Sequence, residues 1–215
     1  MSAAGAASPR SSFERLLIAT TNPGKLREIA GILAGLPVRL VSLADFPGIT
    51  EPDETGITFA DNARLKALYY QQATGVPSVA DDSGLEIDAL DGAPGVHSAR
   101  WEGTDYEVKF RKIYELLDRR RARGSAARFV ARVALADQGQ IVFESEGVIE
   151  GRVADAPRGE KGFGYDPIFF YPPLGRTTGE LDQELKATVS HRGKAFAQLR
   201  AFLEGGGRAG DSNLR

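Results

Sequence analysis

Residues 16–36 read LLIATTNPGKLREIAGILAGL, and this stretch sets the fold class. Leu16 to Thr20 form a short apolar run of the kind that makes a strand covered on both faces. Asn22 follows as a helix N-cap with Pro23 at the first helical position. Leu26, Ile29, Leu33 and Leu36 then recur every three or four residues, which predicts a helix packed on that strand. Further along, Val38 to Val41 is a second strand candidate. Thr58 caps a helix running to Thr74, with Gly75 just past its end, and Pro77 to Ala80 enters another buried strand before the sequence turns loop-like. Tyr106 to about Arg121 carries Phe110, Ile113 and Leu117 on one stripe, and its basic end, Arg119 to Arg121, reads as solvated surface. Phe129, Ala131, Val133 and Leu135 alternate with other residues, and Ile141 to Val153 continues in β-favouring chemistry, which suggests an antiparallel pair. A last helix covers Ser190 to Leu203. Strand–helix alternation followed by a meander predicts an α/β fold with a mixed, partly antiparallel sheet flanked by helices.

The chain has 215 residues, enough for one compact unit or two lobes sharing a cleft. Hydrophobic residues at 42% and charged ones at 26% exclude disordered, collagenous and coiled-coil classes. Lys and Arg total 27 against 29 Asp and Glu, a net charge of −2, so no basic surface drives nucleic-acid binding by counterion release. With no cysteine there are no disulfides, thiolate metal sites or cysteine nucleophiles, which fits a reducing compartment, the cytoplasm by default. No apolar run approaches a membrane span and no signal-peptide core opens the chain. Residues 1–14 and 205–215 read as loose tails around one domain over 15–204.

Five segments carry chemistry. In Thr20-Thr21-Asn22-Pro23-Gly24-Lys25, Lys25 falls at the third helical position, where a cation opposes the helix dipole unless it meets an anion. It is not a Walker loop, and an ordinary strand–helix turn with a surface lysine fits as well. Asp81-Asp82-Ser83-Gly84 places two carboxylates at the end of an apolar strand, where open α/β sheets hold ligands. Adjacent strand residues point to opposite faces, so one acid can face a cleft while the other meets backbone or a lysine. Oxygen ligands without thiolate favour a hard cation such as Mg²⁺, although the same four residues also suit an Asx-turn. The acidic loop Glu51 to Gly56, with Asp53 and Glu54, leads into a helix on which Phe59, Asn62 and Lys66 share one stripe, so the polar pair needs partners or must reach water. Lys161 to Pro167 brackets a glycine-freed loop with Phe163 and Tyr165 and ends in Asp166, able to stack on a base or simply to turn around a core Phe. Finally, Lys186 and Ser190-His191-Arg192 again put positive charge at a helix N-terminus. Two such anomalies in a negative chain suggest a focused anion site. His97, in a separate loop, reads as structural.

In this order the segments TTNPGK, ETGITFADNARLKA, VADDSGLEIDALDGAPGVHSARW, GFGYDPIF and KATVSHRGKA make the chain resemble the inosine/xanthosine triphosphate pyrophosphatase family, from about Leu16 to Leu203. The resemblance implies a two-lobed fold around a long mixed sheet and a central substrate cleft. It implies a homodimer and Mg²⁺-dependent hydrolysis of ITP, dITP and XTP to monophosphate and pyrophosphate, keeping such nucleotides out of DNA and RNA. Carried onto these positions, it implies phosphate binding by Thr20, Thr21, Asn22, Pro23, Gly24, Lys25 and Lys66. Asp82 becomes the catalytic acid, holding the metal with Glu54 and Asp53, and Ser83 touches substrate beside it. Phe163, Gly164, Tyr165, Asp166, Lys186, His191 and Arg192 are implied to form the purine pocket. Donors from the last helix that bond a purine 6-oxo group would disfavour adenine. A related pyrophosphatase of pyrimidine or modified nucleotides, a non-catalytic nucleotide-binding sensor and a serine hydrolase are rival readings, the last without a GxSxG elbow.

Overall fold

The computed structural model describes residues 13–206. The expected tails therefore lie outside the described residues, apart from their inner ends. Phe13 is buried in the same apolar cluster as Leu16 and Leu33, so the packed chain begins earlier than expected.

Strand β1 (Arg15–Ile18) leads through the expected turn into helix α1 (Pro23–Ile32), followed by β2 (Arg39–Ser42), α2 (Phe59–Thr74) and β3 (Ser78–Ile87). Then come α3 (Tyr106–Arg119), the long hairpin β4 (Ala126–Asp137) and β5 (Gln140–Val153), short strands β6 (Phe169–Tyr171) and β7 (Arg176–Thr177), and helices α4 (Gln183–Val189) and α5 (His191–Glu204). The seven strands form one sheet in the order β2-β1-β3-β4-β5-β6-β7. The pairs on either side of β1 are parallel and all later pairs are antiparallel, giving the mixed sheet expected of βαβ units followed by a meander.

Local chemistry sets the helix starts. The Asn22 side chain accepts from the N–H groups of Gly24 and Lys25, and Thr58 forms a capping box with Asp61 at the head of α2. Ser190 ends α4 and caps α5 through the Gly193 N–H at 3.0 Å. Three apolar clusters cover the sheet. Leu16, Ile18, Val79 and Val133 pack under α1 and α5 through Ile29, Leu33, Phe196 and Leu199. On the other face, Leu17, Ala80 and Ala134 meet α2 through Ala63, Ala67 and Tyr70. Leu85, Ile87 and Phe129 meet α3 through Phe110, Ile113 and Leu117. The basic end of α3 is exposed and paired with local acids, Arg119 with Glu115 and Arg120 with Asp91.

One expectation is corrected and three short elements are added. Residues 81–87 are strand and not loop, because β4 pairs with β3 along its whole length, Asp81 opposite Val133 and Asp82 opposite Arg132. The ladder and the paired carboxylates override turn propensity there. The short elements β6, β7 and α4 carry too few residues for a periodic signal to stand out.

Helix α5 lies close on β5 at Gly147. A Cβ built there would stand 2.0 Å from the His191 carbonyl oxygen and 2.7 Å from the Ala195 nitrogen, both rigid main-chain atoms. Gly147→Ala is therefore expected to destabilise the fold by about 1–3 kcal/mol, read as a lower urea midpoint at unchanged m-value. An unchanged midpoint would contradict this packing.

Candidate functional site

Asp81 and Asp82 stand side by side in the middle of β3 and point to opposite faces of the sheet. On the α1/α5 side, Asp81 Oδ2 lies 3.1 Å from Lys25 Nζ and 3.1 Å from Arg192. Its carboxyl is buried, which alone would raise its pKa, but Lys25 and Arg192 outweigh burial and hold it far below the usual carboxylate range. On the α2 side, Asp82 Oδ1 meets Lys66 Nζ at 3.0 Å and Oδ2 accepts from Asn62 at 3.2 Å. Burial pushes the Asp82 pKa up, with Glu54 adding to it, because one lysine is shared between two acids.

The second acid on that lysine is Glu54, whose Oε1 is 2.7 Å from Lys66 Nζ and whose Oε2 is 2.7 Å from Arg100. Asn62 ties the same loop down by accepting the Gly56 N–H at 2.8 Å. Nearby, Thr21 Oγ1 donates to the Glu51 carboxylate at 3.3 Å, joining the first turn to the acidic loop. Asp53 lies exposed on the cavity wall. The first turn differs from expectation in one respect. The N–H groups of Gly24 and Lys25 are taken by the Asn22 cap, and the anion met by Lys25 is the protein's own Asp81.

A third group joins the 163–166 loop to α4 and α5. Asp166 accepts from the Phe163 N–H at 2.7 Å and Thr178 Oγ1 at 2.8 Å, and Lys186 Nζ is 2.5 Å away. Lys186 also meets Glu28 at 2.6 Å, as does Arg192, whose remaining nitrogens bond Asp81 and Ser83 Oγ. Both cations lie over the Phe163 ring. Gly24 backs that ring so closely that a Cβ would stand 2.5 Å from it. His191 is buried and stacks on Phe129 at 4.7 Å between ring centroids. Burial, with Arg192 and Lys186 near, pushes its pKa well below the ordinary histidine value, so it is neutral at pH 7, and its Nδ1 has no hydrogen-bond partner among the described residues. Of the two residues that could carry positive charge at this helix start, Arg192 alone does so.

These groups surround one cavity of about 510 Å³, within the ordinary range for small-molecule sites. Of the residues given a binding, catalytic or metal role from sequence, Pro23 and Gly24 do not line it, and neither do Asp81 and Asn62, which stand behind the wall and hold Lys25 and Asp82; Pro23 is exposed at the head of α1 and Gly24 sits behind Phe163. Sequence reasoning missed Glu28, Arg100, Ser98 and Tyr106. Glu28 carried a signal, since it lies one helical turn beyond Lys25, whereas Arg100 and Ser98 sit in a loop with no periodicity. The net field also differs from the focused anion site expected. Lys25, Lys66, Arg100, Lys186 and Arg192 are each paired with Glu28, Glu54, Asp81, Asp82 or Asp166. Within this paired network five cations answer five carboxylates, and Glu51 and Asp53 also line the cavity.

No cluster of three or more acidic, His or Cys side chains is gathered for a cation among the described residues. Glu54 and Asp82 nevertheless converge on one ammonium with oxygen atoms only. Such a pair fits a hard cation like Mg²⁺, which commonly takes one or two carboxylates and completes its shell with water and substrate phosphate.

A family model described as the Ham1 family matches residues 16–202. The chain is 47% identical over 191 residues to a dITP/XTP pyrophosphatase of Geobacter sulfurreducens, covering 88% of this chain and 96% of that protein. It is 50% identical over 194 residues to one of Thermus thermophilus, covering 88% and 90%. The HAM1 protein of Coxiella burnetii shares the fold with a TM-score of 0.81 and 38% identity, over 88% of this chain and 98% of that one.

Because the folded-state pKa of Asp81 is depressed, its contribution to stability is present above the ordinary value of 3.8 and is lost as pH falls below it. Asp81→Asn strands Lys25, leaves Arg192 with Glu28 as its one carboxylate, and is expected to be strongly destabilising at pH 7. The gap to wild type in urea midpoint should narrow as pH drops from about 4 towards 2. A constant gap would mean that Asp81 does not titrate with this linkage.

Proposed function

The chain belongs to the Ham1 family, and from that premise we propose that it hydrolyses non-canonical purine nucleoside triphosphates, ITP, dITP and XTP, to the monophosphate and pyrophosphate with Mg²⁺ as cofactor. The observation that carries the reading is the convergence of Glu54 and Asp82 on Lys66 in a cavity whose other wall is aromatic. A charge argument supports the metal. A triphosphate entering a network already balanced, cation against carboxylate, needs added positive charge, and Glu54 with Asp82 would hold the ion that supplies it.

The chain's own residues then divide the work. Lys25 and Lys66 lie at the cavity wall to neutralise phosphate oxygens, and the Thr20 and Thr21 hydroxyls supply hydrogen bonds in the same turn. Asp82 lies on the cavity wall, where its carboxylate would orient the attacking water and accept its proton. The new bond forms between the water oxygen and the α-phosphorus. The bond that breaks joins that phosphorus to the bridging oxygen, and pyrophosphate leaves. Phe163 and Tyr165 offer faces to the base. Arg192 is held on every nitrogen by Glu28, Asp81 and Ser83, so 6-oxo selection falls to His191, which lines the cavity, bonds no described residue through Nδ1, and would donate from that nitrogen in the neutral tautomer protonated there. Adenine, with a 6-amino group, would leave that donor unpaired. A homodimer, a cytoplasmic setting and protection of DNA and RNA from these nucleotides belong to the same reading.

With Mg²⁺, ITP and XTP are expected to yield monophosphate and pyrophosphate, with little turnover of ATP or GTP and none after chelation. Asp82→Asn should lower kcat by about 10²–10⁴-fold. Orthophosphate as product, or no turnover of any nucleotide, would refute the reading. Separately, His191→Ala should reduce the ratio of kcat/KM for ITP over ATP by about tenfold or more, whereas an unchanged ratio would place base selection elsewhere.

A further inference from the structure

Lys109, in the second turn of α3, is 0% exposed, and its ammonium is bonded to no carboxylate among the described residues. Burying an uncompensated cation costs stability, and the other inward residues of this helix are the apolar Phe110, Ile113 and Leu117. What the ammonium does is geometric. It donates to the Ser98 carbonyl at 3.0 Å and to the Ala99 carbonyl at 2.7 Å. The same Ser98 carbonyl accepts the Tyr165 hydroxyl at 3.0 Å. The ammonium also lies 4.4 Å from the centroid of the Tyr106 ring and 5.7 Å from that of Tyr165, and these two rings meet edge to face at 5.2 Å. Ser98, Ala99, Tyr106 and Tyr165 all line the cavity. Ser98 is anchored on its far side by its hydroxyl, which accepts the Leu85 N–H and donates to the Gly95 carbonyl.

We propose that Lys109 is a positioning residue: from behind the cavity it locks the Ser98–Ala99 carbonyls and the Tyr106 and Tyr165 rings into one rigid wall on which the purine is held. The part of this inference that concerns the purine rests on the function proposed above. The rigidity of the wall does not. A loop of main-chain carbonyls would otherwise carry no cross-link to α3, and an aromatic wall free to shift binds a flat base more weakly because each binding event must order it. The lysine is suited to the place because one ammonium has three donors and can satisfy two carbonyls while facing two rings, which neither a methionine nor a glutamine can do.

Trp101, the sole tryptophan of the chain, lies two positions beyond Ala99 and reports on this segment without ligand. In Lys109→Met, which keeps the length and removes every donor, acrylamide quenching of Trp101 is expected to rise about twofold as the wall loosens. The KM for XTP should rise about tenfold while kcat stays within about twofold of wild type. Lys109→Gln, which retains one amide donor group, should fall between the two proteins in both measurements. Circular dichroism checks that each variant is folded, and if the Met variant does not fold, the Gln variant decides alone. Unchanged quenching overturns the proposal, as does a loss confined to kcat. If wild type hydrolyses no nucleoside triphosphate, the proposed function fails and the purine role with it, while the ligand-free quenching still decides whether Lys109 orders the wall.

Discussion

Two carboxylates buried next to each other in a central strand cannot stay ionised without partners, and the architecture answers that demand on both faces of the sheet. Asp81 draws Lys25 from α1 and Arg192 from α5, while Asp82 draws Lys66 and Asn62 from α2. Because β3 alternates its side chains, each acid recruits a different layer of helices. The ion pairs thus fix where three helix faces sit relative to the sheet. The apolar clusters beneath them supply the burial that stabilises the arrangement.

The same pairing sets the chemical state of the cavity. Glu28 spans Lys186 and Arg192, Glu54 spans Lys66 and Arg100, and Asp166 anchors the Phe163 loop to Lys186. Each cation is held in a rotamer suited to an anion, but is already answered by a carboxylate. Such a network is pre-organised and charge-balanced. Binding a highly charged ligand there amounts to exchanging internal carboxylates for external phosphates, with added cationic charge to complete the balance. Two atoms at this site contrast with the rest, Nδ1 of neutral His191, stacked on Phe129, and Asp81 Oδ1, both buried without a hydrogen-bond partner among the described residues.

Much of this was legible from residue order. The Asn22-Pro23 start of α1, the Thr58 cap and the Ser190 cap are local hydrogen-bond signals, and each appears where the chain predicts it. The adjacency of Asp81 and Asp82 foretold opposite faces, because strand alternation is a property of the backbone itself. The continuation of β3 through Ile87 was not legible. Asp-Asp-Ser-Gly reads as a turn, and only the β4 ladder and the arriving cations make a strand of it. Lys109 and Arg100 gave no signal either, since a lysine on an amphipathic helix and an arginine in a loop ordinarily face water.

What the sequence by itself determined was therefore the local and the periodic: helix starts, the alternation of β4, the class of fold, and the residue types available for chemistry. The tertiary structure alone decided which charges meet, and so which are neutralised. Lys25 found Asp81 in place of a free anion, Glu28 became the hinge of two cations, and burial keeps His191 neutral. The physical reason is range. Caps and periodicities act over a few residues along the chain, whereas an ionisable group's state depends on desolvation and on partners up to 164 positions away, as Glu28 and Arg192 are.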